Sequence, residues 1–478
     1  MPAEKTLWTS NDADLETLTE AYYAHIAADD LGQVSADRQQ LRVSEHVSLA
    51  KSRTDSSPVV QVATVGSRSV VQVVTDDMPY LVDSVTAEVT RHGHGITLVV
   101  HPIFLSSRST DDGTLAAVKS LPSEHRGVSS GDTQTLPNLK ALLDDENTVK
   151  IESWITVELD RVISDEDAET VIAGLHRVLT DVLASHRDQD RMISQVRSAG
   201  KALRGSSDLP EAAESADLLE WMGSGNFLFL GYREYELADY PDGSIHLDPL
   251  TGTGLGILAD KDGKPITRRS TELSAAGRER SGQRRALVVT KANSRSTVRR
   301  RTYMDYVAVK TFHRDGTVKG ERRFVGLFSE RAYSESITNI PLLRSRAEQL
   351  LQRSGFAADS HSGNDLMQIL ETYPRNELLQ MDVEEIEQAT WQIMQLQERR
   401  RVKVFLRRDH YGRFMTALVY LPRDRYNTAV RRRLEQELLA YVQAESIDFN
   451  VRLTDSVLAR VFFRLRLADD AAEPAGTQ

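Results

Sequence analysis

Hydrophobic and polar positions alternate between two periods along this chain. Residues 12 to 30 place Leu15, Leu18, Tyr22 and Ile26 on one helical face. Residues 32 to 57 are polar and carry no clear period. The runs SPVVQVATV (57–65) and RSVVQVV (68–74) then repeat every second residue and predict two strands turned at Gly66. The segment DDMPYLVDSVTAEVTRHGHG predicts a helix with an Asp cap, Pro79 in its first turn and Leu81, Val82, Val85 and Val89 inward, ended by Gly93 and Gly95. ITLVVHPIFL (96–105) predicts one strand, 106–149 a long loop rich in Ser, Asp and Gly, and KIESWITVELD (150–160) another strand. After Ser164, a capping residue, Val171, Ile172, Leu175, Val178, Leu179, Val182 and Leu183 form an apolar stripe at helical spacing. The order ββαββα is a rotation of the ferredoxin-like βαββαβ, an antiparallel sheet covered by helices.

A second unit opens near Pro210 with a helix holding Leu218, Leu219 and Met222, and continues as strands through FLFLGYREYEL, IHLDPL, GLGIL, ALVVTKA, YMDYVAVKTF and ERRFVGLF to residue 328. Residues 341–400 are helical with a break at Pro374. VKVFLRR and RFMTALVYLP then form a hairpin around His410–Gly412, followed by the helix TAVRRRLEQELLAYV and the strands IDFNVRL and VLARVFFRLRL. With the preceding helix this is αββαββ, a second rotation of the same order. The predicted fold class is α+β: several ferredoxin-like units with antiparallel sheets, joined by helical segments. The predicted division is a helical segment at 1–35, a first ferredoxin-like domain at 36–205, a mostly β, basic domain at 206–340, a helical connector at 341–400, a third unit at 401–468 and a disordered tail at 469–478.

Composition narrows the function. The chain has 478 residues, enough for roughly three domains at about 150 residues each. It contains no Cys, which excludes disulfides, thiolate metal sites and cysteine nucleophiles and fits a reducing compartment. No secretory signal or membrane-length apolar run is present. The formal net charge is −11, which argues against nucleic acid as a partner. Residues 266–330 are the exception, with 16 Lys plus Arg against 6 Asp plus Glu. Arg299, Arg300 and Arg301 lie at the entrance to an apolar strand pattern without aromatic residues spaced for base stacking, so this stretch is expected to be a protein contact.

Catalytic signatures are missing: there is no phosphate-binding loop, no H-E-x-x-H and no nucleophile elbow. GTGLG (252–256) lacks the third dinucleotide-binding glycine, since Ile257 stands there, and a strand follows instead of a long helix; it is expected to be a turn. His92, His94 and His101 have no carboxylate at ligand spacing and are expected to be loop and sheet histidines. No catalytic, cofactor-binding or metal residue is therefore assigned.

The strings VVTDDMPYLVDSVT (73–86), ESWITVELDR (152–161), FLFLGYREYEL (227–237), LVVTKANSRSTVRRRTYMDYVAVKTF (287–312), GERRFVGLFS (320–329), IPLLR (340–344), ILETYPRNEL (369–378) and FLRRDHYGRFMTALVYLPRDRYNT (405–428) resemble the N-terminal region of the large bacterial NAD-specific glutamate dehydrogenases, from about residue 73 to 466. The resemblance implies ACT-like domains, a cytoplasmic homo-oligomer, and a parent enzyme of amino-acid catabolism that converts L-glutamate, NAD and water to 2-oxoglutarate, ammonium and NADH. It places the catalytic domain downstream, so NAD belongs to the parent, and this chain alone is expected to be inactive. It implies a segment for allosteric regulation and assembly; the rival is a stand-alone amino-acid-sensing ACT-type module. Many ACT domains bind an amino acid at an Asp-x-Pro-Gly-Leu-like turn. The matching stretch is Asp77, Met78, Pro79, Tyr80 and Leu81, with Tyr80 where Gly is usual. With Asp76 these residues form the candidate effector site, where helix N–H groups would meet a carboxylate and Asp76 or Asp77 an ammonium.

Overall fold

The computed structural model describes residues 6–10, 15–31, 34–53, 55, 57–121, 148–206, 209, 211–261, 264–265, 271–272, 284–396, 399, 401–409, 412–452 and 456–468. They form two units: Met1–Asp188 with Arg295–Thr302, and Gln189–Ser294 with Tyr303–Gln478. The tail 469–478 and most of the predicted loop 106–149 lie outside the described residues. Both units are α+β with antiparallel sheets.

In the first unit the elements are β1 (Thr6–Thr9), α1 (Leu15–Tyr23), α2 (Ala28–Leu31), α3 (Ala36–Lys51), β2 (Val59–Val65), β3 (Arg68–Asp76), α4 (Leu81–Arg91), β4 (Ile96–Val100), β5 (Ile103–Arg108), β6 (Leu115–Ser120), β7 (Thr148–Leu159) and α5 (Asp165–Arg187). The sheet order is β1-β6-β5-β7-β3-β2, and β4 also pairs with β7. β7 is the hub: β3 lies along one edge, while β5 and then β4 share the other. The predicted single strand 96–105 is thus two strands, broken at His101–Pro102. Proline has no N–H for the ladder, and its carbonyl accepts the Trp154 N–H at 3.0 Å. β6 lies within the predicted loop.

Ile151 to Leu159 of β7 are all buried, so both faces of the sheet are covered. The apolar face, with Val71, Val73, Ile155 and Val157, belongs with α4 and α5, which pack on one another. Ser164 caps α5 as expected, accepting the Asp167 N–H at 3.1 Å. The other face is lined by Gln72, Val74, Glu152, Trp154, Thr156 and Glu158. It is covered by α1 and by α3, which occupies the stretch that carried no period. The polar sheet residues explain this. Arg42 of α3 pairs with Glu158, and the Gln72 amide donates to the Arg42 carbonyl at 2.9 Å. His46 Nε2–H donates to the Val73 carbonyl at 3.1 Å, which leaves Nδ1 to accept from the Tyr22 hydroxyl at 2.7 Å. Glu152, with no exposure, binds Arg53 and takes Arg108 Nε–H at 2.8 Å and Ser106 Oγ–H at 2.7 Å.

The second unit contains α6 (Gln189–Arg204), α7 (Ala212–Trp221), β8 (Phe227–Asp239), β9 (Ile245–Pro249), β10 (Leu255–Gly256), the short pair β11 (Asp260–Lys261) and β12 (Lys264–Pro265), β13 (Thr271–Glu272), β14 (Leu287–Arg295), β15 (Tyr303–Phe312) and β16 (Val318–Phe328). Their sheet runs β13-β9-β8-β16-β15-β14, with β10 on β8. GLGIL therefore contributes only a two-residue strand. Helices follow: α8 (Glu330–Ser334), α9 (Leu343–Ser354), α10 (His361–Thr372), α11 (Arg375–Gln380) and α12 (Val383–Met394), with Pro374 at the break as predicted. A four-stranded sheet of β17 (Lys403–Arg408), β18 (Phe414–Pro422), β19 (Ala444–Arg452) and β20 (Leu458–Leu467), ordered β17-β18-β20-β19, carries α13 (Thr428–Val442). One face of this sheet, with Met415, Ala417, Val461 and Phe463, packs on Leu438 and Val442 of α13. The other, with Phe405, Leu418, Tyr420 and Phe462, joins the core of the connector helices.

Burial pushes His46 down to about 3, against the hydrogen bond to Val73 that raises it. The unfolded chain therefore binds a proton at His46 between its ordinary value of about 6.5 and about 3, and stability falls as pH drops through that window. Glu152 acts lower: burial alone would raise it, but Arg108 and Arg53 outweigh burial and hold it below its usual value. Its contribution is present above the ordinary glutamate value and is lost as pH falls through the depressed one. Urea midpoints measured from pH 7 to pH 4 should decline, and His46→Gln should flatten the upper part of that decline. Glu152→Gln should cost about 3–5 kcal/mol at pH 7, because it leaves buried guanidinium charge uncompensated; a loss within 1 kcal/mol, as for about the median surface pair, would refute this.

Candidate functional site

The turn between β3 and α4 forms because β3 ends where β7 continues. Asp76 faces Glu152 across the ladder, and the Asp77 N–H donates to the Ile151 carbonyl at 3.0 Å. Both acids are engaged. Asp76 receives Arg53 at 2.6 Å, and the Asp77 carboxylate accepts the Ser153 hydroxyl at 2.5 Å. The Ser153 proton being held there, His101 Nε2–H must be the donor to Ser153 Oγ at 2.9 Å. This places Ser153 between a histidine and an aspartate, with its proton on the carboxylate side. Ser153 is fully buried, so the arrangement presents no nucleophile to a substrate. Burial raises Asp77 above the usual carboxylate range, although Ser153, His101 and His186 pull it down. Burial lowers His101, against Asp77.

The predicted cap is not formed. α4 starts at Leu81, its N-cap is Tyr80, and no side chain caps it. Pro79 precedes the helix, exposed, while Met78 and Leu81 are buried. The reason is the left-handed backbone of Tyr80, φ 70°, at the position where ACT turns favour Gly. That turn directs Asp77 toward Ser153 on β7, away from the helix end.

Part of the basic stretch, expected from the sequence to be a protein contact, meets this turn. Residues 295–302 fold with the first unit. Ser296 N–H donates to the Thr302 carbonyl at 2.8 Å, closing a loop whose Val298 is buried. Thr297 Oγ–H donates to Asp181 of α5 at 2.7 Å. Arg299, itself left-handed at φ 66°, donates its N–H to Ser84 Oγ at 2.8 Å and sets its guanidinium 5.4 Å from the Tyr80 ring centroid. Residues 266–270 and 273–283 of the basic stretch lie outside the described residues.

Most of the remaining candidates have local partners. His92 stacks on His94 at 6.4 Å and lies 3.4 Å from Glu88, while His101 serves Ser153. Among the described residues, no group of three or more His, Asp or Glu could hold a metal ion. In GTGLG, the Gly252 N–H donates to Asp260 at 2.6 Å, Asp260 receives Arg233 at 2.5 Å, and Gly256 reaches left-handed φ as β10 meets β8. The glycines shape a turn around a buried arginine. Among the described residues, no helix is long and apolar enough to cross a membrane.

Fold and turn together define a segment built on ACT domains. The model of the glutamate dehydrogenase ACT1 domain matches residues 18–175, that of helical motif 1 residues 340–399, and that of the ACT2 domain residues 403–477. The NAD-specific glutamate dehydrogenase of Halomonas elongata is 34% identical over 402 residues, covering 83% of this chain and 23% of that protein. That of Pseudomonas aeruginosa is 32% identical over 406 residues, 84% and 24%, and that of Mycobacterium tuberculosis 29% over 403, 83% and 22%. The chain belongs to the NAD-specific glutamate dehydrogenase family, as an N-terminal region of it. It spans about a quarter of the length of the curated relatives it matches.

Asp77→Asn tests the turn. A carboxyl whose folded pKa is raised loses stability as pH rises through that value. The variant escapes this loss, so its unfolding midpoint relative to the unaltered protein should improve from pH 4 to pH 7. An advantage that shrinks with rising pH would contradict the assignment.

Proposed function

We propose that this chain is the regulatory and assembly segment of an NAD-specific glutamate dehydrogenase, a cytoplasmic homo-oligomer whose reaction of L-glutamate, NAD and water to 2-oxoglutarate, ammonium and NADH is carried by another part of the parent enzyme. The observation that carries the reading is the occupancy of the Asp76–Leu81 turn by the chain itself. Asp76 serves Arg53, Asp77 serves Ser153, and Arg299 lies over Tyr80 and Ser84. A turn filled in this way fits a structural joint better than an open sensor. The absence of nucleotide-binding and catalytic motifs from the sequence points the same way.

A second reading, an amino-acid effector at Asp76, Asp77, Met78, Pro79, Tyr80 and Leu81, is favoured by one feature: no side chain caps α4, so its first N–H groups are available in principle to a carboxylate. The two readings separate by experiment. The purified chain with glutamate and NAD should form no NADH above a heat-treated control; turnover would refute the division of labour. Calorimetric titration with the twenty amino acids at millimolar concentration should give no saturable heat. Saturable binding of one of them, abolished by Asp77→Asn, would establish the sensor instead.

A further inference from the structure

We propose that the cavity between α10, α12 and the cross-strand row Tyr420–Arg460–Arg452 of the four-stranded sheet binds a small planar organic anion, a flat apolar body carrying a carboxylate or phosphate.

The sheet register creates the charge. Arg460 of β20 lies directly opposite Arg452 of β19, and Tyr420 of β18 lies directly opposite Arg460, so the three residues form one cross-strand row on the face turned from α13. Like charges facing each other across a ladder destabilise it unless something neutralises them. Among the described residues neither guanidinium forms an ion pair. Burial, and after Tyr420 has pulled the other way the neighbouring Arg452, hold Arg460 below the ordinary arginine value. The acid at this cavity, Asp365, is already 3.4 Å from His361. The row therefore offers two guanidiniums to a ligand's anionic group.

The opposite wall supplies the flat surface. The cavity holds about 960 Å³, at the upper end of the roughly 300–1,000 Å³ usual for small-molecule sites. Phe356 and Trp391 line it with rings stacked at 6.4 Å and an interplanar angle of 19°. Trp391 is 52% exposed although α12 buries its neighbours Thr390 and Ile393. An indole left open beside a guanidinium pair suits a ligand with one planar face and one charged end. Ile369 completes the apolar side.

Calorimetry on the whole chain tests this with 1-naphthyl phosphate, 1-naphthylacetate, inorganic phosphate and 1-naphthalenemethanol. At least one of the two ring-bearing anions should bind saturably at one per chain, and their ranking identifies phosphate or carboxylate as the preferred head group. Inorganic phosphate and the uncharged alcohol should bind at least tenfold more weakly. Arg452→Ala should weaken the ring-bearing anion at least tenfold and Arg452→Lys should recover part of it, with no fall in the unfolding midpoint because Arg452 is exposed and faces a like charge. Trp391→Ala should weaken it independently of the charge. No saturable heat from either anion, equal binding of the alcohol, or an Arg452→Ala protein that binds like the original would overturn the proposal.

Discussion

Glu152 sets the terms for the first unit. A carboxylate with no exposure is tolerable only when its charge and lone pairs are met, and here Arg53, Arg108 and Ser106 meet them. The partners come from two places: Arg53 from just beyond α3, Ser106 and Arg108 from β5. Arg108 also donates to the Ala50 carbonyl at the end of α3 and to the Gly113 carbonyl, both at 3.1 Å. Through Arg53 the network extends to Asp76, the last residue of β3. The end of α3, the β5–β7–β3 register and the start of the β3–α4 turn are therefore fixed by one set of charges. Asp76 and Asp77 differ for this reason. The first is held by the network, and the second, one residue further, points to the opposite sheet face and finds Ser153.

Period was a good guide over most stretches whose burial is apolar, β6 being an exception. The strands around Gly66, the Ser164 helix and the β17–β20 unit follow patterns in which apolar residues mark the inward face. α3 was not legible because its inward face includes Arg42 and His46, whose complements Glu158, Thr156 and Gln72 lie on strands far along the chain. Hydrophobic periodicity cannot register a helix that buries charge against charge. The start of α4 was misplaced for a related reason: Asp and Pro before a helix suggest a cap, but Asp77 has a better partner across the sheet. The Asp76–Leu81 turn itself was visible through family resemblance. Its covering segment was not, since Arg299 and Ser84 are 215 residues apart and neither side chain suggests the other.

The four-stranded sheet of the second unit divides its labour between its faces. The side on α13 is apolar. The side on the connector helices mixes Phe405, Leu418 and Phe462 with arginines, of which Arg407 is satisfied by Glu377 at 2.8 Å while Thr416 donates to the same carboxylate at 2.7 Å. Burial and then the Glu377 charge act on Arg407 in opposite senses, and the carboxylate prevails, raising it. Where an acid stands opposite, the arginine is part of the core. At Arg452 and Arg460 none does, and the same face opens into a cavity.

The excursion of residues 295–302 has a consequence for synthesis. The chain completes the main body of the first unit by Asp188, then makes more than a hundred residues of the other unit before Thr297 and Arg299 become available to α5 and α4. Domains made on the ribosome commonly fold from the N-terminus as they emerge. This one must wait with the surface around Tyr80 and Asp181 uncovered until residue 302 has left the exit tunnel. For that interval it is a nascent domain with an unfinished face, and the long sequence separation of its last contacts slows their closure.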